Sequence, residues 1–166
     1  MPLKQETQVE AIKKYIKSQQ KSFYRLAFSY TKNNEDALDV VQEATYKAIV
    51  SAHKLKNPAH IKTWFYRILV NESINVLRKR KKLVLDETVL DNLSYEDKDI
   101  SESINLYNAI QQLESSLRVI IILRYFEDMK LEEIASVTKS NLSTVKSRLY
   151  RSLNILKDLI GSDELE

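Results

Sequence analysis

The apolar positions of this chain recur in steps of three and four residues, which is the spacing of a helix that buries one face. The clearest case lies in residues 131–156. An apolar stripe starts at Leu131, is interrupted by the polar residues 138–141, and starts again at Leu142. The pattern predicts a short helix, a tight turn and a longer helix whose N-cap is Ser140. Two helices joined in this way form a helix-turn-helix.

The same period runs through most of the remaining chain. It marks residues 9–31, as one helix or a broken pair, and residues 36–52, where Asn33 to Asp36 form a turn and a helix start with acids suited to the helix dipole. It also marks residues 61–82, where five consecutive basic residues close the helix. Residues 103–127 resume it as two supporting helices with a break at 114–116, whereas residues 83–102 lose it. The predicted apolar stripes include Ile49, Phe65, Ile68, Ile74, Leu77, Leu106, Tyr107, Phe126 and Leu153. We therefore predict an all-α fold of two small helical domains, the second of which carries the helix-turn-helix.

Composition narrows the possible functions. With one Gly and two Pro in 166 residues, the chain has few positions suited to strand turns and cannot build a glycine-rich phosphate loop. The absence of Cys excludes disulfides, thiolate metal sites and cysteine nucleophiles. Both histidines, His53 and His60, fall in a predicted loop at a spacing that matches no usual metal site. Because no acid–base constellation is visible either, we expect no enzyme, no metal and no cofactor.

Charge divides the chain into three parts. Residues 1–82 hold 17 basic against 7 acidic residues, a balance of +10, and residues 103–160 hold 8 against 6. Residues 83–102 between them hold 7 acidic residues and one Lys. Two basic modules on either side of an acidic strip indicate a polyanion contacted at two places. We predict domains at 1–82 and 103–166, with 83–102 as a linker that is mobile or becomes ordered on binding.

No targeting signal is visible. No apolar run approaches the roughly 20 residues that are needed to cross a bilayer. The N-terminal sequence MPLKQETQVEAIKKY lacks the apolar core of a secretion signal. We therefore expect a soluble protein that works in the cytoplasm.

The second helix of the helix-turn-helix carries the clearest candidate chemistry. From Leu142 to Lys157 it has four basic residues and no acidic one. Such a helix fits the major groove of DNA, where basic and hydroxyl side chains bind phosphates and base edges. A plain helical hairpin with a solvated basic face is the alternative interpretation. The candidate DNA-binding residues are Ser143, Thr144, Lys146, Ser147, Arg148 and Arg151.

Two further helices carry candidate surfaces. In residues 61–82, Trp64 and Tyr66 lie off the apolar stripe among basic residues, an arrangement typical of a platform that stacks unpaired bases. The alternative is that the aromatic residues are core and the basic run is a solvated helix end, and for Phe65 we expect the core. In residues 36–52, a mixed acidic and polar face is either a protein-binding surface or an ordinary solvated one.

Three phrases together resemble a known family. FYRLAFSYTKNNEDALDVVQEATYKA, IKTWFYRILVN, and VIIILRYFEDMKLEEIA followed by STVKSRLYRSL resemble the extracytoplasmic-function (ECF) sigma factors of the σ70 family, in wording similar to the sigma-V-like branch. The resemblance covers about residues 10–160. The family often has Pro after the position of Leu113, and Gly and Pro where this chain has Lys139 and Asn141. Lys139 is therefore expected to bear slight strain in the left-handed region.

The resemblance implies a transcription initiation factor without catalytic activity, which binds core RNA polymerase and directs it to promoter DNA. Region 2, at 1–82, would dock on the β′ coiled coil and melt the −10 element. Region 4, at 103–166, would sit on the β flap and read the −35 element with the six residues named above. The implied polymerase contacts are Asp36, Asp39, Gln42 and Glu43. The implied −10 contacts are Lys54, Lys56, Asn57, His60, Lys62, Thr63, Trp64, Arg67, Arg78, Lys79 and Arg80.

Members of this family are commonly held inactive by an anti-sigma factor, often membrane-anchored, in an envelope-stress response. Such a partner is expected here, and a small-molecule substrate is not. The competing hypothesis is a self-sufficient repressor or activator with an N-terminal effector domain. It predicts tight duplex binding without polymerase, as a dimer on a palindrome. That hypothesis explains the helix-turn-helix but neither the aromatic–basic helix nor the acidic linker.

Overall fold

The computed structural model describes residues 2–86 and 106–161, with side chains described for 7–83 and 106–161. Within these ranges all regular structure is helical, which confirms the all-α prediction. Contacts group the chain into two compact units: the first comprises the residues up to Lys81 together with Ser136–Thr138, and the second comprises the other described residues. Most of the predicted acidic linker lies outside the described residues. Across the described ranges, no helix has both the length and the apolar character required to cross a membrane.

The first unit contains four helices. Residues 9–31, predicted to form one helix or a broken pair of helices, form two helices that are separated at Gln19. Two short 3₁₀ turns, Ala52–Lys54 and Pro58–His60, occupy the predicted loop. The helices are α1 (Pro2–Ser18), α2 (Gln20–Thr31), α3 (Asn34–Val50) and α4 (Ile61–Asp86).

The start of α3 follows from its local sequence. Asn33 is the N-cap, and its side-chain oxygen accepts a hydrogen bond from the backbone N–H of Asp36 at 3.0 Å. Glu35 and Asp36 lie in the first turn, where negative charge is favourable beside the helix dipole. The predicted helix start is therefore confirmed. Ile49, expected in the buried stripe of α3, is only half-buried.

An aromatic cluster forms the core of the first unit. The ring centroids of Phe23 and Phe65 are 4.3 Å apart, and the ring of Tyr66 meets Phe23 edge-on at 5.4 Å. All three side chains are fully buried. Phe65 is thus a core residue as expected, but the prediction that Tyr66 lies off the core was wrong. The apolar face of α4 is turned further than the sequence period indicated, because α2 packs against both residues.

Helix α4 differs from its prediction at the C-terminal end as well. The basic residues 78–82 do not close the helix, which continues to Asp86. Arg, Lys and Leu are good helix formers, and no Gly or Pro follows to stop the helix. Ile68, Ile74 and Leu77, expected in the core stripe, are only half-buried. Ser73 is the last buried residue of α4 among those with described side chains.

The second unit contains the remaining four helices. The predicted break near residue 114 is confirmed, because Glu114 separates two short helices. The second of these continues into a π-helical turn, Ile122–Phe126. The helices are α5 (Leu106–Gln112), α6 (Ser115–Ile121), α7 (Leu131–Thr138) and α8 (Leu142–Ile160).

The π-helical turn changes which apolar residues are buried. The N–H of Glu127 donates to the carbonyl of Ile122 at 3.0 Å, one residue further back than in an α-helix. This wider turn leaves Phe126 exposed and places Met129 in the core, so the predicted burial of Phe126 was wrong. Leu106 and Tyr107, also expected in the apolar stripe, are exposed at the start of α5.

Candidate nucleic-acid interface

Three residues, Lys139, Ser140 and Asn141, form the turn of the helix-turn-helix. Lys139 ends α7 with φ 54° and ψ 39°, in the left-handed region, as expected from its place in the turn. Its own N–H and that of Ser140 both reach the carbonyl of Ala135. A Lys side chain in this conformation is mildly strained relative to Gly.

The N-cap of α8 is Asn141, so the prediction of Ser140 was wrong by one residue. The side-chain oxygen of Asn141 accepts a hydrogen bond from the backbone N–H of Thr144 at 2.9 Å, and another from the Ser143 hydroxyl at 2.9 Å. Ser140 instead accepts a hydrogen bond from the Arg148 guanidinium at 3.3 Å. Asn141 has an extended backbone, with φ −80° and ψ 161°, which suits an N-cap.

The buried side of α8 also departs from the predicted stripe. Val145, Leu149 and Leu156 are buried as expected, whereas Leu153 is 37% exposed. Ser152 takes the inward position, and its hydroxyl donates to the carbonyl of Arg148 at 2.6 Å. The same hydroxyl lies 3.3 Å from the Leu117 carbonyl of α6. This small polar residue lets α8 approach α6 closely.

The outward side of α8 collects the predicted −35 residues. Ser143, Lys146, Ser147 and Arg151 are exposed, while Thr144 and Arg148 are half-buried. All six lie in the first three turns of α8, and Ser143 and Thr144 lie in the first turn, at the positive end of the helix dipole. The exposed Tyr150 adjoins them. The arrangement offers several hydrogen-bond donors and no carboxylate, which suits a polyanion.

The segment before α4 presents the first group of predicted −10 residues. Lys54, Lys56, Asn57 and His60 are all exposed. Asn57 is also a cap, since its side-chain oxygen accepts from the N–H of Ala59 at 3.0 Å. That bond leaves the amide NH₂ of Asn57 as the group that faces a ligand.

The first turns of α4 carry the second group. Lys62, Thr63, Trp64 and Arg67 are half-buried. Because Tyr66 belongs to the core, the aromatic platform predicted from the sequence reduces to Trp64 among polar neighbours. A single half-exposed indole with basic residues around it can stack one unpaired base and bind the adjoining phosphates.

The basic run of α4 is not uniform. Arg78 and Lys79 are exposed, but Arg80 is half-buried. Nη2 of Arg80 lies 2.7 Å from Oδ2 of Asp36 in the first turn of α3. That oxygen has no aligned hydrogen-bond donor, so the contact is an ion pair by proximity. The structure thus joins a predicted DNA contact to a predicted polymerase contact.

The predicted polymerase-binding face of α3 also carries two large exposed side chains, of which Leu38 was not among the residues predicted to lie there. Asp39, Gln42 and Glu43 are exposed as expected. Leu38 and Tyr46 are exposed as well, at 53% and 64%. Their eight-residue separation places them on one side of the helix, and this period was visible in the sequence. An open cleft of ≈ 280 Å³ between α2 and α3 is lined by Gln20, Lys21, Tyr24, Leu38 and Val41.

A second polar contact joins α3 to α4. The ammonium group of Lys47 donates a hydrogen bond to the carboxylate of Glu72, which is buried. This hydrogen bond raises the pKa of Lys47 above its usual value of 10.5. The two residues are 25 positions apart, so no local sequence pattern indicated the pair.

The chain matches two family descriptions. Sigma-70 region 2 matches residues 11–83, and Sigma-70 region 4 matches residues 103–156. The RNA polymerase sigma factor SigV of Bacillus subtilis is 46% identical over 151 residues, which cover 90% of this chain and 91% of that protein. The ECF RNA polymerase sigma factor SigW of the same species is 29% identical over 81% of this chain and 80% of that protein.

Two solved structures share the fold. The sigma factor RpoE of Bartonella quintana, in complex with the anti-sigma factor NepR, gives a TM-score of 0.71 at 24% identity, over 89% of this chain and 97% of that one. CnrH, in complex with the cytosolic domain of CnrY, gives 0.66 at 18% identity, over 96% of each chain. At these identities the likeness concerns the fold alone.

These relationships decide between the interpretations left open by the sequence. A sigma factor binds core RNA polymerase and directs promoter-specific transcription initiation, and it is not an enzyme. The self-sufficient repressor or activator is therefore set aside. The two region matches and the extensive identity to SigV show that this chain belongs to the extracytoplasmic-function sigma factors of the sigma-70 family, in the SigV-like branch.

Proposed function

We propose that the two units divide the work of promoter recognition. Residues 1–82 act as region 2, which docks on polymerase and opens the −10 element, and residues 103–166 act as region 4, which reads the −35 element. Residues 83–102 join them. The observation that carries this proposal is the difference between the two basic surfaces: α8 presents hydrogen-bond donors from regular helical turns, whereas α4 presents an indole beside cations.

Region 4 binds closed duplex through α8. Its exposed side carries donors for base edges and phosphates but no acidic residue between Leu142 and Lys157. Arg148 is the strongest candidate for a base contact, because its guanidinium is already oriented by Ser140 at 3.3 Å. A guanidinium held in this way can donate two hydrogen bonds to guanine. The proposed −35 residues are Ser143, Thr144, Lys146, Ser147, Arg148 and Arg151.

Region 2 holds the melted strand. A flipped base loses a few kcal/mol of stacking and pairing, which contacts in a pocket must offset. Stacking on an aromatic side chain contributes about 1–3 kcal/mol per base. Trp64 is suited to this role, with Lys54, Lys56, Asn57, His60, Lys62, Thr63 and Arg67 around the strand. Arg78 and Lys79 contact the backbone further along α4.

Polymerase binds the exposed side of α3. The carboxylates of Asp39 and Glu43 with Gln42 offer charge and hydrogen bonds, and Leu38 and Tyr46 offer apolar area for a partner helix. We assign this face to the β′ coiled coil and region 4 to the β flap. A protein surface that combines exposed apolar residues with a charged rim is typical of an interface. The protein would work in the cytoplasm with polymerase.

An anti-sigma factor completes the proposed scheme. RpoE of Bartonella quintana was solved with the anti-sigma factor NepR, and CnrH was solved with the cytosolic domain of CnrY. We propose that this chain has a partner of the same kind, anchored in the membrane and released under envelope stress.

The test is a comparison of DNA binding with and without polymerase. Core RNA polymerase of Bacillus subtilis serves as the probe, because its SigV is 46% identical to this chain. A promoter duplex is selected by the wild-type holoenzyme from a randomised pool and used in gel shifts and run-off transcription. We expect specific binding and a defined transcript only with core present. Tight, specific binding by the isolated chain as a dimer, without transcription, would refute the proposal.

A further inference from the structure

The C-terminal half of α4 is held weakly by apolar packing. Ser73 is its last buried residue among the described side chains, and Ile74 and Leu77 are only half-buried. At about 1.5 Å per residue, Arg80 lies roughly 10 Å beyond Ser73 along the helix axis. The basic run that is proposed to follow the DNA backbone therefore needs another source of alignment.

The ion pair of Arg80 with Asp36 supplies such an alignment. The two side chains are 32% and 24% exposed, and the charged atoms are 2.7 Å apart. Partial burial increases the Coulomb attraction between the two charges, and removing either partner leaves the other charge uncompensated. Arg80 follows buried Glu72 by eight residues and Ser73 by seven, so it lies on the side of α4 that faces the domain. Arg78 and Lys79 are exposed, with no ion pair within the described side chains.

We propose that Arg80 is a positioning residue. Its pairing with Asp36 fixes the second half of α4 against α3, and so directs Arg78 and Lys79 toward the DNA backbone. Neither Arg80 nor Asp36 serves mainly as an external contact. The inference rests on the proposed role of region 2 in binding promoter DNA. It makes strand opening depend on a contact between the polymerase-facing helix and the DNA-facing helix.

A double-mutant cycle tests this role. Asp36→Asn, Arg80→Gln and the double variant are assembled with saturating Bacillus subtilis core, and open-complex yield is measured by permanganate footprinting on the selected promoter. We expect the open-complex yield to fall about five- to tenfold in each single variant and no further in the double variant, because the effects of residues that act as a unit are not additive. Arg80→Lys, which keeps the charge, should retain most of the yield.

Matched controls separate positioning from loss of charge. Asp39→Asn removes an exposed carboxylate from the same helix, and Lys79→Gln removes an exposed base from the same run. The fold-loss in open-complex yield caused by Asp39→Asn should multiply with that of Arg80→Gln, and the loss caused by Lys79→Gln should multiply with that of Asp36→Asn. Neither Asp39 nor Lys79 takes part in the ion pair. Core affinity is titrated for every variant, so a docking defect is recognised. Circular dichroism melts identify any variant that is merely unfolded at the assay temperature.

The sign of the Asp36→Asn effect decides the outcome. If Arg80 contacts DNA directly, removing Asp36 frees its charge, and open-complex formation stays unchanged or improves, with a steeper salt dependence. That result would overturn the inference while leaving the proposed function intact. If the wild-type chain fails to assemble with core or to transcribe, the proposed function itself fails. Equal, non-additive losses with rescue by Arg80→Lys support positioning.

Discussion

Replacing Asn141, the N-cap of α8, should destabilise the start of the helix more than replacing the neighbouring Ser140. Asn141 accepts hydrogen bonds from the N–H of Thr144 and the hydroxyl of Ser143, each at 2.9 Å. Loss of such a cap destabilises a helix end by about 1 kcal/mol, within a range of roughly 0.5–2. Because the N-cap of α8 is Asn141 and not Ser140, Ser140→Ala should destabilise the helix end less.

The assay is amide hydrogen exchange in the intact chain, read at Thr144. A loss of about 1 kcal/mol increases local opening roughly fivefold, so exchange at this amide should quicken by that factor in Asn141→Ala. Asn141→Ser keeps a side-chain acceptor and should exchange nearly as the wild type does. The affinity of the holoenzyme for the −35 duplex should likewise fall more in Asn141→Ala than in Asn141→Ser. Faster exchange in Ser140→Ala than in Asn141→Ala would refute the assignment of the cap.

Three further predictions concern the aromatic residues, the DNA contact and the Lys–Glu pair. Tyr66→Ala should lower the free energy of unfolding, measured by denaturant titration, by about 3–5 kcal/mol, as expected for a large side chain in the hydrophobic core. Trp64→Ala should leave the binding of core polymerase unchanged and slow strand opening, measured by permanganate footprints, at least about fivefold. Undiminished melting in Trp64→Ala would contradict its proposed role. Arg148→Ala should weaken −35 duplex binding by about 1–3 kcal/mol if its contact is bidentate, and a loss that is equal on all sequences would point to phosphate binding instead. Because the pKa of Lys47 is raised in the folded state, the stabilisation from its bond to Glu72 should be complete below pH 10.5 and fall as pH rises through the folded-state pKa. Glu72→Gln should remove this part of the alkaline decline in stability, measured by unfolding titrations at several pH values. An unchanged pH profile would contradict the pairing.

The ion pair between α3 and α4 changes how single substitutions in region 2 are interpreted. A defect in Asp36→Asn would ordinarily be assigned to polymerase docking, because Asp36 lies beside the exposed Asp39 and Glu43. The contact with Arg80 gives the same substitution a route to α4, the helix that we propose faces DNA. Measuring core affinity and strand opening separately is therefore essential for residues on this side of α3.

Several features of the chain could be derived from sequence because they depend on neighbours a few residues away. The apolar period identified the helices and the helix-turn-helix, since residues three and four apart share a face in any helix. Asn33 and the acids after it identified the start of α3, because a cap bond closes within three residues. The hydroxyl and basic side of α8 could be recognised for the same reason.

Other features were decided only by tertiary packing. The burial of Tyr66, which the sequence placed off the apolar stripe together with Trp64, reflects the rotation of α4 against α2, which periodicity defines only to within about one residue position. Glu72 and Arg80 find their partners on α3 through the antiparallel approach of two helices, and no local pattern encodes a bond between distant positions. Local hydrogen bonding and helical period are properties of short segments, so the sequence alone determined the elements and their chemistry. The face each helix buries, and which charges neutralise each other, depend on the positions of whole helices, and only the folded chain determines those.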